Sequence, residues 1–367
     1  MTAHQFIPGL ELNRMFYREA VAPILASAFP DLRYSAALIG RGSDVLGYDS
    51  ERSTDHGWGP RLRLFLSEGD QQSLAASLDK TLAARLPAAF RGYSTGFANP
   101  DEHGVRSLET ATPGKVRHYI EINTLSEFLR GMLNIDPDRQ PSAADWLIMP
   151  QQNLLEVTSG EVYHDGLGSL ARTRRRLAWY PRDVWLLILA AQWKRIDQEE
   201  PFAGRCHEAG DELGLRIVLA RLVRDLMRLC LLMERRYAPY SKWLGTAFVR
   251  LNCASELGLT LDGMLAAQSW PEGEEPLCAA LEAVARIHNA LAITEPLDTK
   301  VRRFHDRPYR VIGAARFAES IVATIRDEEV RQIHARAGLI GAIDQFADST
   351  DLLGHLELGS RLRALFE

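Results

Sequence analysis

The chain has 367 residues, enough for two cores of ordinary size. Charged residues make up 25% and the hydrophobic class 46%, which excludes a disordered or fibrous chain. A formal net charge of −5 argues against a protein built mainly to neutralise nucleic-acid phosphate, so nucleic acid is not the expected partner.

The four cysteines, Cys206, Cys230, Cys253 and Cys278, form no Cys-x-x-Cys or Cys-His cluster and read as reduced, buried thiols. The first residues lack the basic and apolar regions of a signal peptide, and no apolar stretch reaches the roughly 18 residues of a membrane span. A cytoplasmic protein with no membrane partner is the expectation.

Apolar residues recur at helical spacing from Leu10 to Phe29 (Leu12, Met15, Phe16, Val21, Ile24, Leu25), and Pro30-Asp31 closes that helix. An apolar run, Ala36-Ala37-Leu38-Ile39, then ends in Gly40-Arg41-Gly42-Ser43, and a second strand-like run covers Leu62–Leu66. An amphipathic helix is expected over Gln71–Leu86 and an irregular insertion over Arg91–Gly114. Val116–Thr124 alternates as a strand, with Val116, His118, Ile120 and Ile122 on one face and Arg117, Tyr119, Glu121 and Asn123 on the other. The Asp-Pro-Asp-Arg-Gln-Pro-Ser loop before Ala143 marks a domain boundary, and Ser142 suits the N-cap of a following helix.

Beyond it the pattern is helical, and Gly214–Tyr237 is apolar over so much of its circumference that a central place in a bundle is expected. The fold class expected is therefore α+β: an α/β domain with a small mixed sheet over 1–140, then an all-helical domain over 141–367.

Strand, glycine-serine turn, carboxylate (Asp55, separated from Ser43 by eleven residues), strand, and a further strand carrying Glu121 resembles the polymerase-β-like nucleotidyltransferases. The longer string Gly42-Ser43-Asp44-Val45-Leu46-Gly47-Tyr48-Asp49, with Asp55-His56 and Trp58-Gly59-Pro60-Arg61-Leu62, is similar to an uncharacterised nucleotidyltransferase-like family of that superfamily. The resemblance implies that Gly42 and Ser43 grip the phosphates of a nucleoside triphosphate. It implies that Asp55 and Glu121 hold Mg²⁺ as first and third acids, the first of them on a strand. The second acid of the Asp-x-Asp pair is missing, because Gly57 stands there. The nearby acids Asp44, Asp49 and Glu51 read as solvated loop residues, and His56 as an inner-face packing residue.

In the helical part, the string Tyr237-Ala-Pro-Tyr240-Ser-Lys242-Trp243 offers Lys242 as a phosphate ligand at a helix start; packing aromatics and a solvated lysine explain it equally well. Asp211 or Glu212 is the candidate base toward an acceptor hydroxyl, against the alternative that Asp211 caps the helix it precedes. Arg172, Arg174, Arg175 and Arg176 form a basic run. Arg221, Arg224 and Arg228 form a stripe, with Asp225 the expected partner of Arg221.

Two functions follow. One is metal-dependent transfer of a nucleotidyl group from a triphosphate, bound with Mg²⁺ between two domains, to a small-molecule hydroxyl. The other is a catalytically inactive nucleotide-binding or protein-interaction pseudoenzyme.

Overall fold

The computed structural model describes residues 6–102 and 104–367. The chain divides into two compact units, one formed by 1–140 with 153–178 and the other by 141–152 with 179–367. The first unit thus takes back 153–178, a stretch the sequence pattern assigns to the helical part.

The first unit opens with α1 (Gly9–Phe16), a wider π-helical turn over Tyr17–Val21, and α2 (Ala22–Ala28). The single helix expected here is interrupted for a local reason: Pro23 has no N–H to return to the preceding turn, and the wider turn accommodates that loss. The strands β1 (Ser35–Leu38), β2 (Arg61–Leu66), the short hairpins β3–β4 (Ala89–Phe90, Tyr93–Ser94) and β5–β6 (Gly96–Phe97, Leu108–Glu109), β7 (Tyr119–Thr124) and β8 (Glu161–Asp165) follow. Between them run α3 (Glu68–Arg85), α4 (Leu125–Leu133), α5 (Ala143–Ile148, in the second unit) and α6 (Gln151–Thr158), and after them α7 (Ser169–Leu177). The main sheet has the order β7-β2-β1-β8, with β2 and β7 parallel and the other pairs antiparallel.

The alternation read from the sequence sorts the two faces of this sheet. Leu62, Leu64 and Leu66 of β2 and Ile120 of β7 join Leu12, Phe16 and Leu25 and Leu78 and Leu82 of α3 in one core. On the other face stand Arg61 and Arg63, with Phe65 packed edge-on against Phe128 of α4. Successive strand residues point to opposite faces, so one strand carries both the core and the polar floor.

The second unit contains α8 (Arg182–Glu199), α9 (Phe202–Glu208), α10 (Glu212–Met233), α11 (Ser241–Phe248), α12 (Ala254–Ala266) and α13 (Trp270–Ala290), then the β9–β10 hairpin (Arg302–Arg303, Arg310–Val311) and shorter helices. The helix expected at the centre of the bundle does pack against most of its neighbours, though it is not enclosed on every side. α10 packs against α8, α9, α12 and α13 yet leaves Leu213 and Ile217 exposed, whereas α8 is buried right round from Asp183 to Trp193. The most enclosed helix is therefore the tryptophan-bearing one: the Trp185 indole donates to the Leu232 carbonyl at 2.9 Å, and Trp193 stacks on Phe317. Arg221 pairs with Glu199 rather than Asp225, which is fully buried. All four cysteines carry free thiols, with Cys206 half-buried and the other three buried. No helix among the described residues is long and apolar enough to cross a membrane.

Candidate functional site at the glycine-serine turn

β1 runs into the Gly40–Asp44 turn. Gly40 and Gly42 sit at φ +97° and +142°, in the left-handed region where a side chain is strained. The glycine at 42 is required for a second reason. A Cβ there would lie 2.2 Å from the Asp44 carboxylate and 2.3 Å from the Arg61 guanidinium.

Those two groups form a buried bidentate pair, Arg61 Nη2 to Asp44 Oδ1 at 2.7 Å and Nε to Oδ2 at 3.2 Å. Burial pulls the Arg61 pKa down, and the Asp44 carboxylate more than offsets it, so the guanidinium stays charged. Arg61 also donates to the Arg41 carbonyl, and its backbone N–H to Asn13 Oδ1. Asp44 is thus a structural anchor and not a solvated loop acid. Asp49 is also engaged, accepting from the Gly9 amide at 2.7 Å and the Trp58 indole at 3.0 Å. The Ser43 hydroxyl is half-exposed and makes no hydrogen bond among the described residues.

Asp55 is not on a strand. It ends the 3-10 turn Glu51–Asp55, its side chain is 66% exposed, and it contacts His56 Nδ1 at 2.9 Å. His56 is correspondingly exposed instead of packed inside. The strand starts late because Gly57 and Gly59 take φ +61° and +133° and Pro60 follows, so β2 begins only at Arg61. Nothing lies within 4 Å of a Cβ placed at Gly57, so the site has room for a side chain but a backbone that most residues resist.

Glu121 does lie on β7, on the polar face expected for it. It stands directly across from Arg63 in the parallel register, and Arg63 Nη2 binds its carboxylate at 2.7 Å. Arg63 further donates to the Ile39 carbonyl at 3.1 Å and lies over the Phe128 ring; burial holds its pKa down against the pull of Glu121. Tyr119 has Arg61 and Arg106 over its ring at 5.8 and 5.1 Å. Sequence reasoning missed these arginines; the alternation of Arg61 and Arg63 on β2 was the available signal.

Asp55 and Glu121 therefore do not make a preassembled magnesium site. One carboxylate is held by an arginine, the other faces solvent beside a histidine. Among the described residues no group of three His, Cys, Asp or Glu side chains is placed to hold a metal ion. Magnesium is commonly held by one or two carboxylates with waters and phosphate oxygens completing the octahedron, so Glu121 would have to leave Arg63 to take part in such a site.

In the second unit, Lys242 is exposed near the start of α11 with its ammonium 4.9 Å from the Trp243 ring centre. The string before it is held by side-chain amides: Gln151 Oε1 accepts from the Ala238 amide at 2.7 Å and Gln152 Oε1 from the Tyr240 amide at 3.0 Å. Tyr237 packs against Trp179 and Tyr180. Asp344 accepts from the Gln151 amide near Arg228, and burial pushes its pKa up to about 6. Gln151, Gln152, Tyr240, Arg228 and Asp344 line a small cavity of about 30 Å³. Asp211 caps α10 by accepting from the Gly214 amide at 2.8 Å, and Glu212 lies 3.7 Å from His207.

Residues 146–244 match the model of a family described only as a domain of unknown function (DUF4037). No curated protein matches the chain. The matched stretch carries Lys242, Asp211 and Glu212 and excludes the Gly42-Ser43 turn.

Proposed function

We propose that the chain is a nucleotidyltransferase-like protein that binds a nucleoside triphosphate and no longer transfers its nucleotidyl group. The observation that carries this reading is the glycine-serine turn closing β1 with its serine hydroxyl unengaged, while of the candidate metal acids Glu121 is held by Arg63 and Asp55 lies exposed beside His56. Backbone amides at Gly42 and Ser43 and the Ser43 hydroxyl hold phosphate oxygens. Arg41, exposed and without an ion pair among the described residues, adds the positive charge that a missing carboxylate-metal site would otherwise supply. Magnesium arrives on the triphosphate's own oxygens and is not held by a carboxylate cage of the chain.

Thermal unfolding with ATP, in magnesium and in excess chelator, tests this. Stabilisation under both conditions that disappears in Ser43→Ala supports it; no stabilisation by any triphosphate overturns it.

The second reading, transfer to a small-molecule hydroxyl with Asp211 or Glu212 as base, requires pyrophosphate release by the unmodified chain. Asp211's engagement as a helix cap counts against it. Release at a rate proportional to protein concentration, abolished in Asp55→Ala and Glu121→Ala, would replace the first reading with the second.

A further inference from the structure

The other end of the same sheet carries a cleft that the nucleotide reading does not use. β2 and β7 run parallel and finish together at Leu66 and Thr124, which face each other in the register. Each strand passes directly into a helix, α3 capped by the Ser67 hydroxyl and α4 by the Thr124 hydroxyl. Ligands of open α/β sheets collect outside the carboxyl ends of parallel strands, and helix N-termini there favour anions. Here the chain leaves an open cleft of about 640 Å³, the size of a small-molecule site.

α7 supplies the chemistry. Ser169, Arg172, Thr173 and Arg176 fall at positions i, i+3, i+4 and i+7, one face of the helix, and all line the cleft. Thr173 is only 6% exposed, yet its hydroxyl has no hydrogen-bond partner among the described residues. Unlike the Arg176 Nε, its oxygen is not one of the buried unpartnered atoms, so the hydroxyl reaches solvent and is free to donate to a ligand oxygen. Arg172 is exposed and has no ion-pair partner among the described residues. Arg176 is oriented by a 2.8 Å bond from Nη2 to the Pro137 carbonyl, while its buried Nε has no partner.

The neighbouring basic residues have other work or other directions. Arg174 is committed to the carbonyls of Val157, Thr158 and Ser159, and Arg175 is exposed outside the cleft lining. α7's own terminal amides are taken by Asp165, which accepts from Gly168 at 3.0 Å and Ala171 at 2.9 Å. What α7 offers the cleft is therefore its side chains. Glu68 and Asp138 line the cleft as exposed acids, placed to accept from hydroxyls on a ligand.

We propose that this cleft binds a phosphate monoester, with Arg172, Thr173 and Arg176 on the phosphate and the acids of Glu68 and Asp138 on hydroxyls of the remainder. The guanidiniums match phosphate oxygens in charge and geometry, and the threonine completes the donor set.

The test is calorimetric titration of the full chain with inorganic phosphate and with ribose 5-phosphate. Saturable binding of ribose 5-phosphate, tighter than phosphate, is expected. Affinity should fall at least ten-fold in Arg172→Gln and in Thr173→Val and hold in Arg175→Gln, the charge-matched control on the same helix. Thr173→Val without ligand should melt no lower than the natural chain, because the hydroxyl it removes has no partner. Absence of saturable binding by both probes overturns the proposal. So does binding that survives Arg172→Gln, an equal loss in Arg175→Gln, or a ligand-free Thr173→Val protein whose melting temperature falls by several degrees.

Discussion

The two ends of the main sheet are built on opposite electrostatic plans. At the glycine-turn end the buried charges are already matched inside the protein, Arg61 by Asp44 and Arg63 by Glu121. At the carboxyl end of β2 and β7, donors stand without protein partners: the Thr173 hydroxyl, the Arg172 guanidinium and the Arg176 Nε. Matched charges hold a backbone in place; unmatched ones wait for a ligand. The string most suggestive of catalysis thus stands largely on structural bonds, while a basic run easily taken for a solvated face shapes the roomier cleft.

Removing one member of the Arg61–Asp44 pair is the largest expected effect. Asp44→Ala leaves a buried guanidinium unpaired and should cost about 3–5 kcal/mol in urea unfolding. A loss below about 1 kcal/mol would mean that the turn end is not held by this pair, and the contrast between the two ends would fail.

Next comes the metal question. Gly57→Asp places an acid in a left-handed position at a cost of about 1 kcal/mol and leaves Glu121 bound to Arg63. That variant should release no pyrophosphate and show no new Mg²⁺ affinity by calorimetry. A measurable affinity is expected only when Arg63→Gln is added to free Glu121. Turnover in the single variant would show that Arg63 yields readily, and would break the comparison.

A similar magnitude is expected at the other end from Asp165. Its amide and Ser35 hydroxyl bonds outweigh desolvation and hold its pKa below the usual carboxylate range. A carboxylate with a lowered folded pKa contributes stability above its unfolded pKa and loses it as pH falls through the folded value. Asp165→Asn should therefore cost about 1 kcal/mol at neutral pH and approach the natural chain in acid, as read from unfolding free energies across pH. An equal cost at both pH values would assign Asp165 a packing role alone.

Thr173→Val gives the smallest expected change: unfolding free energy within about 0.5 kcal/mol of the natural chain, or above it. A larger loss would give that hydroxyl a structural partner and erase the difference between the two ends.

Local pattern carried much of the fold. The alternation of Val116–Thr124 placed Glu121 on the polar face, the glycines marked the turn, and Ser142 does cap its helix. What local pattern does not carry is pairing. That Asp44 binds Arg61 follows from a turn folding over a strand, and nothing in the spacing distinguishes it from a solvated loop acid. Asp55 was misplaced for the same reason: strand propensity resumes at Leu62, but Gly57, Gly59 and Pro60 decide where extended backbone can start. β8 escaped because a five-residue strand at an edge leaves a weak periodic signal. Thr173 escaped because being unpartnered is a property of surroundings.

The late return of residues 153–178 to the first unit also bears on synthesis. β8 covers one edge of β1, from Ser35 against Asp165 to Leu38 against Glu161, and is led in by Gly160, where any Cβ would sit 2.0 Å from the Leu38 carbonyl oxygen. While the chain grows, β1 keeps a bare row of amides and carbonyls until more than a hundred further residues have been added, the reach from Leu38 to Glu161. A fragment cut at residue 140 holds that open edge permanently and presents it to other copies for strand pairing. The sheet is finished by residues that a cut at the apparent domain boundary would discard.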